Sequence, residues 1–434
     1  MEKNNKKTIQ AWCMYDWANS VYNLVITSSI FPAYYEAVTR NADGSDKVEL
    51  FGITLANTVW YSYALSFSFL VIAILMPMLG GISDYTGKRK LFMRFFCYLG
   101  AAACSILFFF KGTSTLELGI TCSVLASIGW SGSLVFYYSY LPEIVTADQA
   151  DRVSARGFSY GYIGSVLQMG FCLSMILAPQ LYGGISSGLA SRISFLLVGI
   201  WWVGFGEYSI SRLPAPPHRK NEDEDHFLSK GYKELSKVFK EIKKNYEIKS
   251  FLLAFFFFDM GVLTIMYLAS LFGGKELHLP TGDLITVVLI LQVVAVGGSA
   301  LFSFISKKFG NITSLGTAIF IWIGICITAY FVRTGNQFYL LAVFVGIVMG
   351  GIQAISRSTY SKLIPEDTKD HASYFSFYDV TDKVALLLGT LVYGLIEQLT
   401  GSMRNSSLAL AAFFVIGFIL LLFVPRKKLL PAKK

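Results

Sequence analysis

The sequence predicts an all-α polytopic membrane protein with twelve transmembrane helices in two pseudo-symmetric six-helix bundles. Composition is the first observation behind this prediction. Of the 434 residues, 54% are hydrophobic and only 15% are charged, whereas an average soluble domain carries about 25% charged residues. The other two observations are the spacing of the apolar runs and a repetition between the two halves of the chain.

Apolar runs of about 20 residues, long enough to cross a bilayer, recur twelve times. Their approximate bounds are 10–36, 54–80, 91–110, 117–139, 158–180, 192–211, 249–271, 283–305, 312–332, 337–356, 372–396 and 407–424. The longest connection separates the first six runs from the last six. We therefore predict an N-terminal bundle at 1–213, a cytoplasmic linker with an amphipathic helix at 214–248 and a C-terminal bundle at 249–434.

The predicted linker changes character along its length. It begins with a proline-rich stretch at 214–217 and continues with four acidic residues at 222–225. From 227 to 246, apolar residues recur at helical spacing among lysines, a pattern typical of a helix lying along a membrane surface. A solvated spacer between the two bundles explains the same composition.

The two halves resemble each other at corresponding places. Asp16 near the start of the first span matches Asp259 near the start of the seventh, and residues 138–143 after the fourth span are similar to 360–366 after the tenth. Many secondary transporters are built from two such halves, with the substrate bound between them near the membrane midplane. The repetition therefore predicts a cavity between the bundles.

The basic residues predict the orientation of the chain. Most of the 37 Lys and Arg residues fall on the side that holds both termini, and loops rich in these residues stay in the cytoplasm. We therefore predict a multi-pass protein of the cytoplasmic (inner) membrane with both termini in the cytoplasm. The net charge of +9 reflects this topology and not nucleic-acid binding, because the charges lie between apolar spans.

Cysteine and histidine usage argues against a metal site. The six cysteines lie in or beside predicted spans without a Cys-x-x-Cys pair, and the four histidines lie in predicted loops. We therefore predict no metal, no cofactor and no enzyme activity, since no histidine lies within a span to act as the base of a membrane-embedded enzyme. No Gly-x-x-x-x-Gly-Lys-Ser/Thr loop is present, which argues against transport driven by ATP.

Charged and amide residues within the spans predict the substrate or proton site. Asp16 is the only formal charge between Lys7 and Glu36, and a carboxylate in hydrocarbon costs at least about 2.5 kcal/mol, so it should face protein or water. The candidate residues come from the first, seventh and eleventh spans: Asp16, Asn19, Tyr22, Asn23, Asp259, Tyr378, Asp379, Asp382 and Lys383.

We expect one of these carboxylates to carry a proton and another, or Lys383, to bind a charged group of the substrate. Two structural roles remain as alternatives. Asp379 and Lys383 are four residues apart and can form an ion pair on one helix face. Asp16 can instead bridge to a neighbouring helix or to the loop at 152–156.

The loop at 80–90 reads Gly-Gly-Ile-Ser-Asp-Tyr-Thr-Gly-Lys-Arg-Lys and resembles the signature loop of the major facilitator superfamily. Its glycines permit a tight turn, and Asp84 can meet a helix N-terminus or the neighbouring basic residues. The resemblance implies the twelve-helix fold of that superfamily and a latch between two conformations. The corresponding loop at 306–310 is degenerate.

Charged residues near the predicted cytoplasmic ends are the candidates for gating. They are Asp84, Lys88, Arg89, Glu143, Arg152, Arg156 and Arg357. For Arg357, at the end of the tenth span, we expect Glu366 or Asp370 as the partner.

Two further motifs indicate a family. Residues 15–20, Tyr-Asp-Trp-Ala-Asn-Ser, and residues 152–164, Arg-Val-Ser-Ala-Arg-Gly-Phe-Ser-Tyr-Gly-Tyr-Ile-Gly, resemble the autophagy-related vacuolar amino-acid effluxer family, and the chain is similar to its bacterial branch. The resemblance extends over nearly the whole chain in span number and loop placement. It implies transport of amino acids, although a bacterium has no vacuole, so substrate and direction do not follow.

These observations predict a monomeric secondary active transporter. It would move a small polar or zwitterionic, amino-acid-like solute by alternating access, with proton coupling. The alternatives are a transporter of sugars, nucleosides, peptides or lipids, and a non-transporting receptor or scaffold on the same fold.

Overall fold

The computed structural model describes residues 3–40, 45, 47–50, 52–215 and 227–430. The helices are α1 (Lys6–Val21), α2 (Ile30–Val38), α3 (Asn57–Thr86), α4 (Arg89–Ile106), α5 (Leu116–Tyr138), α6 (Leu141–Ile144), α7 (Ala147–Leu177), α8 (Ser187–Arg212), α9 (Phe227–Lys244), α10 (Tyr246–Leu277), α11 (Thr281–Phe309), α12 (Asn311–Phe331), α13 (Gly335–Leu363), α14 (His371–Thr400) and α15 (Met403–Leu422). An antiparallel hairpin, β1 (Lys47–Leu50) and β2 (Ile53–Ala56), precedes α3. The acidic run at 222–225 lies outside the described residues.

Ten helical segments in the described part of the chain are long and apolar enough to cross a membrane. The predicted first and eleventh spans are not among these ten segments. Helix α1 has only 16 residues, and α14 contains Asp379, Asp382 and Lys383 within little more than one turn. The multi-pass membrane architecture is confirmed, but the predicted number of twelve spans is not.

The first predicted span, 10–36, is not one continuous α-helix. It changes to a π-helix at Tyr22–Thr27, where the Ser28 N–H donates to the Asn23 carbonyl at 3.0 Å, and it resumes as α2. Short π-helical turns occur mostly as interruptions of α-helices and often at functional sites. This one follows directly after the polar stripe of Asp16 and Asn19.

Two apolar cores correspond to the two predicted bundles. One is formed mainly by residues from α1 to α8, with Trp202 fully buried. The other is formed mainly by residues from α9 to α15, with Trp322 fully buried. We call these groups the N-terminal and C-terminal bundles.

The bundles pack together through three pairs of long helices. Helix α3 lies against α14, and α7 lies against α11 and α13. The linker helix α9 lies on the side where α8 ends and α10 begins, which we call the linker side. On this side α3 ends at Gly87, whose left-handed backbone (φ 67°) forms the predicted tight turn into α4.

Candidate functional site

A cavity of about 130 Å³ lies between the two bundles. Its walls come from α1, α5 and α7 on one side and from α10, α11, α13 and α14 on the other. The polar residues that line it are Asp16, Asn19, Ser20, Asn23, Tyr138, Tyr162, Ser165, Asp259, Tyr267, Gln292, Gln353, Ser356, Arg357, Tyr378, Asp379, Asp382 and Lys383. By contrast, a cavity beside Phe272 in the C-terminal bundle is lined almost wholly by apolar groups. The polar cavity is therefore the candidate site.

One end of this cavity is formed by an ion pair that joins the bundles. Asp16 Oδ2 accepts hydrogen bonds from Arg357 Nη1 and Nη2, both at 3.2 Å, and from the Tyr137 hydroxyl at 2.8 Å. Arg357 also donates to the Ser154 hydroxyl at 3.0 Å and to the Ser154 carbonyl at 2.8 Å. Because Asp16, Tyr137 and Ser154 belong to the N-terminal bundle and Arg357 to α13, this buried pair holds the two bundles together.

The expected partners of Arg357 were wrong. Glu366 and Asp370 lie in the loop beyond the end of α13, whereas Arg357 lies nearly two turns inside that helix. Its guanidinium packs 4.1 Å from the ring centre of Phe158 and 4.7 Å from that of Trp12. Arg357 therefore belongs to the cavity, where aromatic faces and Asp16 compensate its charge.

Gly157 permits the close approach at this ion pair. A Cβ atom at this position would lie 2.5 Å from Asp16 Oδ2 and 3.0 Å from both Arg357 Nη2 and Trp12 Cζ3. All three neighbours are buried, so they have little room to move. The motif at 152–164 therefore has a glycine at this position because a larger residue would clash with its buried neighbours.

We expect Gly157→Ala to lower the thermal stability of the purified protein, because overpacking a buried site costs about 1–3 kcal/mol. Gly170→Ala is the matched control, since it lies on the same helix with nothing within 4 Å of its added Cβ. Melting temperatures of both variants test this. Equal melting temperatures would show that Gly157 has no packing role.

The cavity wall formed by the C-terminal bundle also carries a cluster of charges. Lys383 Nζ lies 2.7 Å from Asp382 Oδ2 and 3.5 Å from Asp379 Oδ1. Asp259 Oδ2 and Asp379 Oδ2 are buried, and neither accepts a hydrogen bond from any residue that the structure describes. Two carboxylates thus share one lysine, and one oxygen each of Asp259 and Asp379 remains open to a ligand or a proton.

The cavity brings together eight of the nine predicted substrate or proton residues. Tyr22 is the exception and was placed wrongly. Its ring packs between Trp130, at 5.8 Å, and Trp202, at 5.7 Å, inside the N-terminal bundle. Tyr22 is the first residue of the π-helical turn, and it is not among the residues that line the cavity.

The predicted latch loop contacts the other bundle on the linker side. Asp84 Oδ2 accepts from the Ser373 N–H at 2.7 Å and hydroxyl at 2.8 Å, and Oδ1 accepts from the Ala372 N–H at 3.2 Å. Arg89 also pairs with Asp84 at 3.1 Å and with Glu143 at 2.7 Å. Asp84 therefore meets both of its expected partners: the N-terminus of α14, where the helix dipole favours an anion, and a neighbouring basic residue.

The other predicted gating residues lie elsewhere. Lys88 and Arg152 have exposed side chains, since Lys88 lies in the turn before α4 and Arg152 on the outer face of α7. Arg156 is exposed as well and donates to Gln10 and to the Tyr160 hydroxyl, both in its own bundle. These three residues do not bridge the bundles through the contacts that the described residues make.

Asp151 forms a third polar contact between the bundles, and the sequence analysis missed it. This buried carboxylate on α7 binds Lys362 Nζ at 2.7 Å, the Ser306 hydroxyl at 2.6 Å and Asn311 Nδ2 at 2.8 Å. The loop at 306–310 lacks the aspartate of its counterpart at 80–90, and here the carboxylate comes from the opposite bundle. The sequence feature that could have indicated this contact is the acidic residue directly before the motif at 152–164.

We expect Asp151→Asn to favour opening of the bundles on the linker side, because a hydrogen bond to a charged group contributes about 1.5–3 kcal/mol. Spin labels at the exposed positions Ala147 and Asp367 would report a longer distance. Asp148→Asn, an exposed residue on the same helix, is the matched control. The same distance change in both variants would contradict a closing role for Asp151.

Comparison with known proteins agrees with this geometry. The family model described as "Vacuole effluxer Atg22 like" matches residues 4–433. The chain is 34% identical to the uncharacterized MFS-type transporter YxiO of Bacillus subtilis (strain 168), over 98% of this chain and 97% of that protein. It is 24% identical to autophagy-related protein 22 of Saccharomyces cerevisiae (strain S288c), over 100% of this chain and 93% of that protein.

A solved structure shows the same fold. The major facilitator superfamily transporter FucP, in its outward conformation, superposes with a TM-score of 0.71 at 14% sequence identity, covering 96% of this chain and 98% of that chain. This similarity confirms the superfamily fold that the loop at 80–90 implies. The chain belongs to the Atg22-like vacuole effluxer family, in its bacterial branch, and is a membrane transporter of the major facilitator superfamily type and not an enzyme.

Proposed function

We propose that the protein is a secondary active transporter that moves a small zwitterionic, amino-acid-like solute by alternating access, coupled to protons. The single observation that carries this proposal is the polar cavity between the bundles, which is lined both by Arg357 and by a cluster of carboxylates from α10 and α14. A solute with an acidic and a basic group would find an opposite charge for each. Buried charges require such partners.

Arg357 is the proposed contact for the acidic group of the solute. Its only carboxylate partner among the described residues is Asp16, so a solute carboxylate would share or replace that contact. Since the Asp16–Arg357 pair joins the bundles, an exchange of partners at this point would couple solute binding to the separation of the bundles. This links the site to alternating access.

The carboxylates of the C-terminal bundle are the proposed contacts for the basic group and the proton. Asp259 is the best candidate for the proton because it is buried, its Oδ2 accepts no hydrogen bond within the described chain and, unlike Asp379, it forms no ion pair with Lys383 there. A carboxylate in such a place is costly when charged, and binding a proton removes that cost. Asp379 and Asp382 remain beside Lys383 to bind a solute amine.

The contacts at Asp84, Asp151 and Arg357 support a conformation that is closed on the linker side. We propose that this side is cytoplasmic, as the distribution of lysine and arginine predicts, and that the protein works as a monomer in the plasma membrane. In this conformation, solute would then enter the cavity from the outside of the cell. Its volume of about 130 Å³ favours a small solute.

A thermal-shift panel of amino acids, short peptides, nucleosides and sugars on the purified protein tests the solute class. A compound that raises the melting temperature is then followed as radiolabelled flux in liposomes, with and without a pH gradient. We expect an amino acid to stabilise the protein and to move with the gradient. Stabilisation by a neutral sugar or nucleoside instead would contradict the zwitterion, and binding without flux would favour the receptor alternative.

A further inference from the structure

Helix α9 presents faces of different chemistry around its axis. Val238 and Ile242 are buried against the C-terminal bundle. On the opposite face, four exposed lysines recur at helical spacing: Lys233, Lys237, Lys240 and Lys244. Lys237 binds Asp370 of the C-terminal bundle, so Lys233, Lys240 and Lys244 form the exposed basic face of the helix.

The acidic residues near this face have other partners. Glu241 accepts from the Tyr374 hydroxyl at 2.9 Å, and Glu234 pairs with Lys237 at 2.9 Å. Lys237 is also 2.9 Å from Asp370. Lys233, Lys240 and Lys244 form no ion pair with any residue that the structure describes, so their positive charge is not compensated within that part of the chain.

Exposed aromatic residues flank the basic face on one side. Tyr232, Phe239 and Tyr246 are 64%, 44% and 61% exposed, and Lys243 Nζ lies 4.5 Å from the ring centre of Phe239. A helix with a basic face and aromatic residues at its edge is typical of binding in the headgroup region of a membrane. Tyrosine favours this region because its ring is apolar and its hydroxyl is polar.

Helix α9 also contacts both bundles at the place where they close. It packs along α3 of the N-terminal bundle and touches α14 and α10 of the C-terminal bundle. Phe239 stacks on Phe377 of α14 at 5.7 Å. Helices α3 and α14 are the pair that Asp84 joins. An interaction that fixes the position of α9 therefore also stabilises the contact between α3 and α14.

We propose that the basic face of α9 binds the headgroups of anionic lipids, and that bound lipid stabilises the conformation closed on the linker side. The occupant is lipid because the face is uniformly basic, flanked by aromatic residues and next to the ends of membrane-spanning helices. The proposal does not depend on the identity of the solute.

Lipid binding is tested with the full-length protein purified with mixed phosphatidylglycerol and phosphatidylcholine. The variant replaces Lys233, Lys240 and Lys244 by glutamine, and the control replaces the exposed Lys307, Lys308 and Lys427 by glutamine. Native mass spectrometry measures the ratio of the two lipids retained. We expect the preference for phosphatidylglycerol to fall by up to about fivefold per α9 lysine, to weaken with salt, and to change less in the control.

Spin labels at Ala147 and Asp367 test the conformational effect in nanodiscs, and the six native cysteines are buried and do not compete for the label. We expect the shorter distance between the labels, that of the closed conformation, to dominate in nanodiscs that contain phosphatidylglycerol. In the same nanodiscs, the α9 variant should give the distances that the unaltered protein gives in pure phosphatidylcholine. An equal effect of the α9 variant in both lipids would overturn the proposal. It would mean that the lysines bind another group, such as the acidic run that precedes α9 in the sequence.

Discussion

Arg357→Gln is expected to shift the protein towards the conformation open on the linker side. The substitution removes one partner of a buried ion pair and leaves Asp16 charged between the bundles. Breaking a buried pair in this way costs about 3–5 kcal/mol, which corresponds to roughly a hundred- to several thousand-fold change in a conformational equilibrium. Because Arg357 contacts Asp16, Tyr137 and Ser154 only when the bundles are together, most of this cost falls on the closed conformation.

Distances between spin labels at Ala147 and Asp367 measure this shift. Arg404→Gln is the matched control, because Arg404 is also buried and pairs with Glu276 at 2.9 Å, but both residues lie within the C-terminal bundle. We expect the control to lower the melting temperature without changing the distance. The double variant Asp16→Asn, Arg357→Gln should recover part of the closed population, since it leaves no unpaired buried charge. An unchanged distance in Arg357→Gln would contradict the role of this ion pair.

Asp259→Asn is expected to abolish solute accumulation driven by a pH gradient while preserving exchange of solute across the membrane at equal pH. Asparagine has nearly the shape of a protonated aspartate, so binding and the movement of the bundles should survive. It cannot release a proton, so the driving force is lost, and we expect accumulation to fall at least about a hundredfold. This follows from the premise that a buried carboxylate whose charge no ion pair balances is stabilised by binding a proton or a ligand.

Paired flux assays in liposomes separate the two steps. One assay follows accumulation against a solute gradient with the interior alkaline, and the other follows exchange of labelled for unlabelled solute without a gradient. Asp367→Asn, at an exposed position in the loop after α13, is the control and should behave normally in both. Accumulation by Asp259→Asn at the normal rate would exclude Asp259 as the proton site and leave Asp379 or Asp382.

Local patterns were enough to predict the membrane architecture and eight of the residues that line the cavity. Helical spacing places Asp16, Asn19 and Asn23 on one face, and it brings Lys383 within 3.5 Å of Asp379. The loop at 80–90 has the glycine and the aspartate that its turn and its contact with a helix N-terminus require. In each case the chemistry needed is encoded within a few residues of sequence.

Contacts between the bundles could not be predicted in the same way. Asp16 and Arg357 are 341 residues apart, and their pairing depends on how α1 and α13 meet and on the space that Gly157 leaves. Asp151 was overlooked because its partners, Lys362 and Asn311, come from the other bundle. The π-helical turn at Tyr22–Thr27 could not be predicted either, because the first span was assigned from an apolar run, which does not show a local change in the backbone hydrogen bonds.

The central claim is that this cavity binds a zwitterionic solute and couples its movement to protons through the carboxylates of the C-terminal bundle. The most direct test is to record proton and solute fluxes together in liposomes that contain the purified protein and the solute found by thermal shift. We expect an imposed solute gradient to move protons in a fixed ratio to solute, and Asp259→Asn to eliminate the proton flux while solute exchange continues. Solute movement with no associated proton flux in the unaltered protein would contradict the claim.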